Sequence, residues 1–186
     1  MRRLILLSFC LALAGCGRSA ASPSPSVPKP TPVQSLMSRA EEHQRRGASL
    51  EAEQYLIAAW DTGVKQALVL PRLLEVCLGS GRLQNARLHV ERARREEPDD
   101  LYLPYLDARL LYALGHVMEA LEQINELTGD SDAPAEAWLF QGALLFETGA
   151  DSELARSSLV EFLRRKPSPA SSRQVRALLR GGERHD

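Results

Sequence analysis

The sequence predicts an all-α protein, a solenoid of about four helix-turn-helix units closed by a short C-terminal capping helix. Three observations carry that prediction. Gly47, Gly81, Gly115 and Gly149 follow one another at intervals of 34 residues. Ala52, Ala86 and Ala120 each stand five residues after a glycine, and Ala155 stands one residue later in the fourth copy. Apolar residues recur at helical spacing on both sides of the glycines, as in Leu73, Val76 and Cys77 before Gly81 and Ala86, Val90 and Ala93 after it.

The chain opens with Met1, Arg2 and Arg3, followed by an apolar run over residues 4–14 broken only by Ser8. As a helix, a run of that length covers roughly 17 Å, about half of a bilayer's hydrocarbon core, so it is too short to span one. A basic start, a short apolar stretch and small residues at its end are the layout of a secretory signal, here residues 1–15. The signal ends in Leu13-Ala14-Gly15-Cys16, which resembles the lipobox of bacterial lipoproteins. That resemblance implies that Cys16 is acylated and becomes the first residue of the mature protein, held to a membrane by several acyl chains. Gly17 in place of Asp implies the outer membrane, with the domain facing the periplasm.

Residues 16–32 form a Pro/Ser-rich linker with Pro23, Pro25, Pro28, Pro30 and Pro32. Prolines this dense forbid helix and favour polyproline II. Fully extended at about 3.1 Å per residue, the tether reaches roughly 50 Å from Cys16. Of the three cysteines, Cys10 leaves with the signal and Cys16 takes the lipid, so Cys77 is the single remaining thiol and the fold holds by packing alone. The formal net charge is −1, or about −3 once Arg2 and Arg3 are removed. Such a balance excludes a nucleic-acid partner, which requires a concentrated basic face. Arg92, Arg94 and Arg95 are followed at once by Glu96 and Glu97 and read as a solvated helix end.

The repeats occupy residues 33–66, 67–100, 101–134 and 135–169. Their slots hold Leu36, Ala40, Gly47, Ala52, Leu56 and Ala59 in the first copy, and Leu70, Leu74, Gly81, Ala86, Val90, Ala93 and Pro98 in the second. The third supplies Ala108, Gly115, Ala120 and Ile124, and the fourth Trp138, Gly142, Gly149, Ala155, Leu159 and Pro167. This pattern resembles the tetratricopeptide repeat. The resemblance implies a right-handed superhelix whose first helices line a concave groove. Small residues are required where antiparallel helices cross, which marks Ala40, Ala52, Ala59, Ala86, Ala93, Ala108, Ala120 and Gly142 as crossing points. Residues 170–186 close the stack: Ser171 or Ser172 caps a helix that turns Val175, Leu178 and Leu179 inward.

No catalytic motif, metal-ligand pattern or cofactor signature is present in the sequence. His43, His89, His116 and His185 stand apart from other ligand-type residues, no Gly-x-Ser-x-Gly or phosphate loop occurs, and Cys77 reads as a small core hydrophobe. The surface is more informative. Tyr102, Tyr105, Arg109 and Tyr112 are spaced 3, 4 and 3 and share one helix face. Leu103, Leu106, Leu110 and Leu114 supply that helix with a separate apolar face, which leaves the tyrosines exposed in the groove. The same registration adds Leu139, Ala143 and Phe146 from the fourth copy and Met37 from the first. Pro104 places the helix start near Leu103 and leaves Tyr102 in the turn.

An aromatic stripe beside an arginine has the composition of a binding surface. The expectation is a non-enzymatic scaffold, anchored by lipid, that binds a segment of another envelope protein. In plan the chain resembles pilotins, lipoproteins that help secretin subunits of pilus or secretion machines assemble in the outer membrane. The rival expectation is that the stripe joins copies of the chain into a homo-oligomer.

Overall fold

The computed structural model describes residues 31–165 and 168–182, so the signal, Cys16 and most of the proline tether lie outside the described residues. Among those described, the chain forms α1 (Pro32–Arg45), α2 (Ser49–Asp61), α3 (Gln66–Gly79), α4 (Leu83–Glu96), α5 (Tyr102–Ala113), α6 (Val117–Thr128), α7 (Ala135–Thr148), α8 (Ser152–Arg164) and α9 (Pro169–Gly182). Each helix packs on the one before and the one after it. This is the contact pattern of a stack of helical hairpins, in which an element buries its apolar face against its immediate neighbours.

Local chemistry sets the helix ends. Thr31 accepts a hydrogen bond from the Gln34 amide at 3.2 Å, and Gln34 Oε1 accepts from the Thr31 amide at 2.9 Å. This reciprocal cap, with Pro32 in the first helical position, starts the first repeat one residue before the expected boundary at 33. Gly47, Gly81, Gly115 and Gly149 all take a positive φ, between +65° and +86°. At the first three, the residue after the glycine donates to a carbonyl five positions back: Ala48 to His43, Arg82 to Cys77 and His116 to Leu111. An L side chain resists that left-handed geometry, which is why the 34-residue period is punctuated by glycine.

The crossing alanines are buried, and Gly142 shows how little room there is. A Cβ on Gly142 would lie 2.7 Å from Leu159 Cδ2 and 3.0 Å from the Ala155 carbonyl. The core runs as three successive blocks. The first centres on Leu56, Leu73, Val90 and Leu103, the second on Leu111, Ile124 and Leu144, and the third on Leu159, Phe162 and Val175.

Three expectations need correction. α5 begins at Tyr102, not at Leu103, because the Asp100 carboxylate accepts from the Tyr102 amide at 2.9 Å. Pro104 is then the third residue of the helix, in the first turn, where a missing N–H leaves no helical bond unmade. The cap of α9 is Ser168 rather than Ser171 or Ser172: its Oγ accepts from the Ser171 amide at 3.3 Å, one turn earlier than expected, with Pro169 in first position. Val175 is buried and Leu179 packs beside it, as expected; Pro167 and the side chain of Leu178 lie outside the described residues. Finally, the arginine-rich end of α4 is not simply solvated. Arg92 stacks over Trp60 at 4.1 Å, and Arg94 reaches the buried carboxylate of Asp107 at 3.2 Å.

Candidate functional site

The first helices of the third and fourth repeats, α5 and α7, enclose an open cleft of about 540 Å³. Tyr105, Arg109, Tyr112 and Ala113 form one wall, and Glu136, Leu139, Phe140 and Ala143 form the other. Phe140 meets Tyr105 edge-on at 6.3 Å and Tyr112 at 5.8 Å, the arrangement in which a positive ring edge faces a negative ring face. The Tyr112 hydroxyl donates to the Glu147 carboxylate at 2.7 Å, tying α5 to α7 along the rim. That bond holds the phenol's proton and raises its pKa. Arg109 Nη1 donates to the Tyr105 hydroxyl at 3.4 Å while its guanidinium lies 5.7 Å from the ring centre.

A second cleft, between α3 and α5, is lined by Leu74, Leu78, Leu106, Arg109, Leu110 and Ala113. It continues toward the start of both helices as a mainly apolar hollow of about 400 Å³, where Leu70, Pro71, Leu103 and Tyr102 meet. Arg109 therefore stands on the ridge between two apolar clefts and faces both.

The expected groove residues divide accordingly. Arg109, Tyr112 and Leu139 line the α5–α7 cleft, and Tyr102 lines the neighbouring one. Tyr105 also contributes to the α5–α7 wall, but it is not exposed as expected: only 6% of it is accessible, and it belongs to the second core block with Ala108 and Leu111. Burial pushes its phenol pKa up, against the opposing pull of Arg109. Phe146 is exposed yet lines neither cleft. It occupies in α7 the place Tyr112 holds in α5, so the period carries it toward the C-terminal side of α7, away from α5. Met37 is half-buried on the first core block and is not brought to the α5–α7 cleft.

Phe140 is the groove residue that registration by strict period misses. It is the counterpart of Leu106, which reads as core. The signal was its place four residues after Glu136 and three before Ala143, on one helix face.

A buried polar cluster also escaped the sequence reading. Glu53 on α2 accepts from His89 at 2.7 Å, from Asn85 at 3.1 Å and from the Cys77 thiol at 3.5 Å, and it pairs with Arg82. Glu53, Cys77 and His89 are residue types that can ligate a metal, and their ligand atoms lie within 4.8 Å of one another. Here, however, both carboxylate oxygens already accept from the protein's own donors, the Arg82 guanidinium among them. Burial alone would raise the Glu53 pKa, but donation from His89, Asn85 and Arg82 holds it below the ordinary value. Burial, together with the Glu53 charge, pushes the Cys77 thiol up to about 12, so it is an inert donor and not a nucleophile.

Two further joints carry buried polar groups. Asp107 accepts from Arg87 at 2.9 Å as well as from Arg94. Gln141 donates to Asn125 and accepts from Ser158, both at 2.8 Å. Asp107 and Gln141 lie 34 residues apart and occupy the same slot of successive repeats.

The chain matches no protein-family model and no curated protein. Solved structures do resemble it. One is the crystal structure of YrrB, a TPR protein with an unusual peptide-binding site, at 16% identity and a TM-score of 0.57, covering 78% of this chain and 75% of that one. A tetratricopeptide repeat protein from Parabacteroides merdae matches at 22% identity and a TM-score of 0.62, covering 81% of this chain and 60% of its own. PilF of Pseudomonas aeruginosa matches at 18% and 0.52, covering 78% of this chain and 66% of PilF. Identities this low speak to the fold alone, and the fold they share with this chain is the tetratricopeptide-repeat solenoid.

Proposed function

We propose that this protein is a non-enzymatic, lipid-anchored scaffold whose concave groove binds a segment of another envelope protein. The observation that carries the binding half is the α5–α7 cleft, where Tyr112, Phe140 and Leu139 form an apolar floor around the exposed cation of Arg109. Aromatic and arginine side chains set in a concavity are the usual anchors of a protein interface. YrrB, which shares the fold, is described as having a peptide-binding site, in keeping with this reading.

The anchoring half rests on the lipobox-like Leu13-Ala14-Gly15-Cys16 and the proline tether. No helix among the described residues is long and apolar enough to cross a membrane. Under this reading an acylated Cys16 holds the solenoid at the outer membrane, facing the periplasm, on a tether that reaches at most roughly 50 Å. The likeness in plan to pilotins directs the search for a partner toward subunits of pilus, secretin or other outer-membrane machines.

The test is a pull-down from membranes with wild-type protein and with Tyr112→Ala and Phe140→Ala. Loss of an interface anchor costs about tenfold or more in affinity, so specific partners should be depleted from both variants. Retention of every partner by both would overturn the groove reading. Tyr105→Ala is unsuitable, because that side chain is part of the core.

A further inference from the structure

We propose that the segment seated in this groove is an apolar stretch carrying one internal side-chain carboxylate, Asp or Glu, that pairs with Arg109. The proposal rests on the groove reading above and names the chemistry of its occupant.

Arg109 is exposed, and among the described residues its polar contact is the Tyr105 hydroxyl, a neutral acceptor at 3.4 Å. Several arginines of the stack meet carboxylates, Arg72 with Glu41, Arg82 with Glu53, and Arg87 and Arg94 with Asp107; Arg39 on α1, like Arg109, lies instead over a tyrosine ring. Among the described residues Arg109 has no carboxylate partner, although Glu136 stands on the opposite wall of the same cleft without closing an ion pair to it. A guanidinium carries five N–H donors in a planar fork suited to a carboxylate. It is also flanked on both sides by apolar surface: Leu74, Leu78 and Leu106 toward α3, and Leu139 and Phe140 toward α7. Once an apolar segment covers that surface, water is excluded from Arg109, and leaving the cation unpaired becomes costly. A carboxylate from the segment removes the cost and fixes its register.

Two features narrow the occupant further. The apolar lining extends to both sides of Arg109, so a chain ending at Arg109 would leave one cleft unfilled, which favours an internal side chain over a C-terminal carboxylate. Glu136 and Glu147 sit on the α7 wall, so a polyacidic segment would be repelled there. One acid among apolar residues fits both walls.

A phage library of random dodecapeptides, fused so that no peptide C-terminus is free, panned on the full chain in detergent, tests this directly. The expected outcome is enrichment of peptides with a single Asp or Glu between Leu, Ile, Val or Phe. Arg109→Gln should weaken the selected peptides by about tenfold, the scale of a hydrogen bond to a charged group. Panning on Arg109→Glu should replace the acid with Lys or Arg. Peptides that depend on Tyr112 and Phe140 but show no acid preference, or bind Arg109→Gln unchanged, would overturn the carboxylate and leave the groove reading intact. Peptides indifferent to Tyr112→Ala and Phe140→Ala, or no enrichment at all, would overturn both. Arg109 is exposed and outside the core blocks, so its replacement leaves the fold unchanged; a melting curve matching the wild type verifies this.

Discussion

Glu53 of α2 is a single buried carboxylate on which four side chains converge: Cys77 of α3, Arg82 at the N-cap of α4, and Asn85 and His89 of α4. Removing its charge leaves Arg82 without its partner in a partly buried site, and breaking such a pair costs about 3 kcal/mol or more. Glu53→Gln should therefore lower the melting temperature at pH 7 by roughly 6–12 °C. The carboxyl's pKa is depressed on folding, so its stabilisation is fully present above the ordinary value of 4.5 and is lost as the pH falls through the lower folded value. Melting curves from pH 7 to pH 3 should accordingly show the gap between wild type and Glu53→Gln closing below about pH 4.5. A gap that stays constant across that range would refute this role for Glu53.

At the scale of the helix, α7 and α8 approach so closely because position 142 has no side chain. With Leu159 Cδ2 at 2.7 Å from the place a Cβ would take, Gly142→Ala overpacks a core block and should cost about 1–3 kcal/mol. Leu159→Ala alone removes a fully buried side chain and should cost about 2–5 kcal/mol. Because the two changes compensate in volume at one contact, the double variant should cost less than their sum, as measured by urea unfolding in a double-mutant cycle. Strict additivity would mean that α7 and α8 relax apart without strain. The same crossing logic accounts for the alanines at the other hairpins, whereas the buried polar slots at Asp107 and Gln141 add pairing rules between successive repeats: Asp107 suits Arg87 and Arg94 of α4, and Gln141 suits Asn125 of α6.

For the whole molecule, the proposal joins a lipid anchor at Cys16 to a helical stack whose core blocks are drawn from residues beyond 31. Cys16→Ala should block acylation and cleavage while leaving the thermal unfolding of the solenoid and its binding to groove peptides unchanged. Mass spectrometry of membrane-extracted protein checks the first part: an unmodified Cys16 within an intact amino terminus in the wild type would remove the anchor from this account. The solenoid would be unaffected, since its core blocks are built from residues beyond 31.

The repeat architecture was readable from residues because its determinants are local and periodic. Glycine is demanded wherever the chain must turn left-handed, and small residues are demanded wherever helices cross, so Gly47, Gly81, Gly115 and Ala52, Ala86, Ala120 mark the fold by their spacing alone. The cleft lining was readable in part: Arg109, Tyr112 and Leu139 line the α5–α7 cleft, whereas Tyr105 turned inward, Phe146 lines neither cleft, and Phe140 was missed. A helix face is a matter of sequence, but which neighbouring helix it meets depends on how successive hairpins are rotated, and that is a property of the stack. The Glu53 cluster lay further from reach. Its other members stand 24 to 36 residues from Glu53 along the chain and reach it only when α2, α3 and α4 pack. Periodicity settles what each segment becomes, since it reports interactions within a few turns of helix. Which polar groups find one another, and which surface is left open between helices, is settled only when long-range packing brings distant segments into contact.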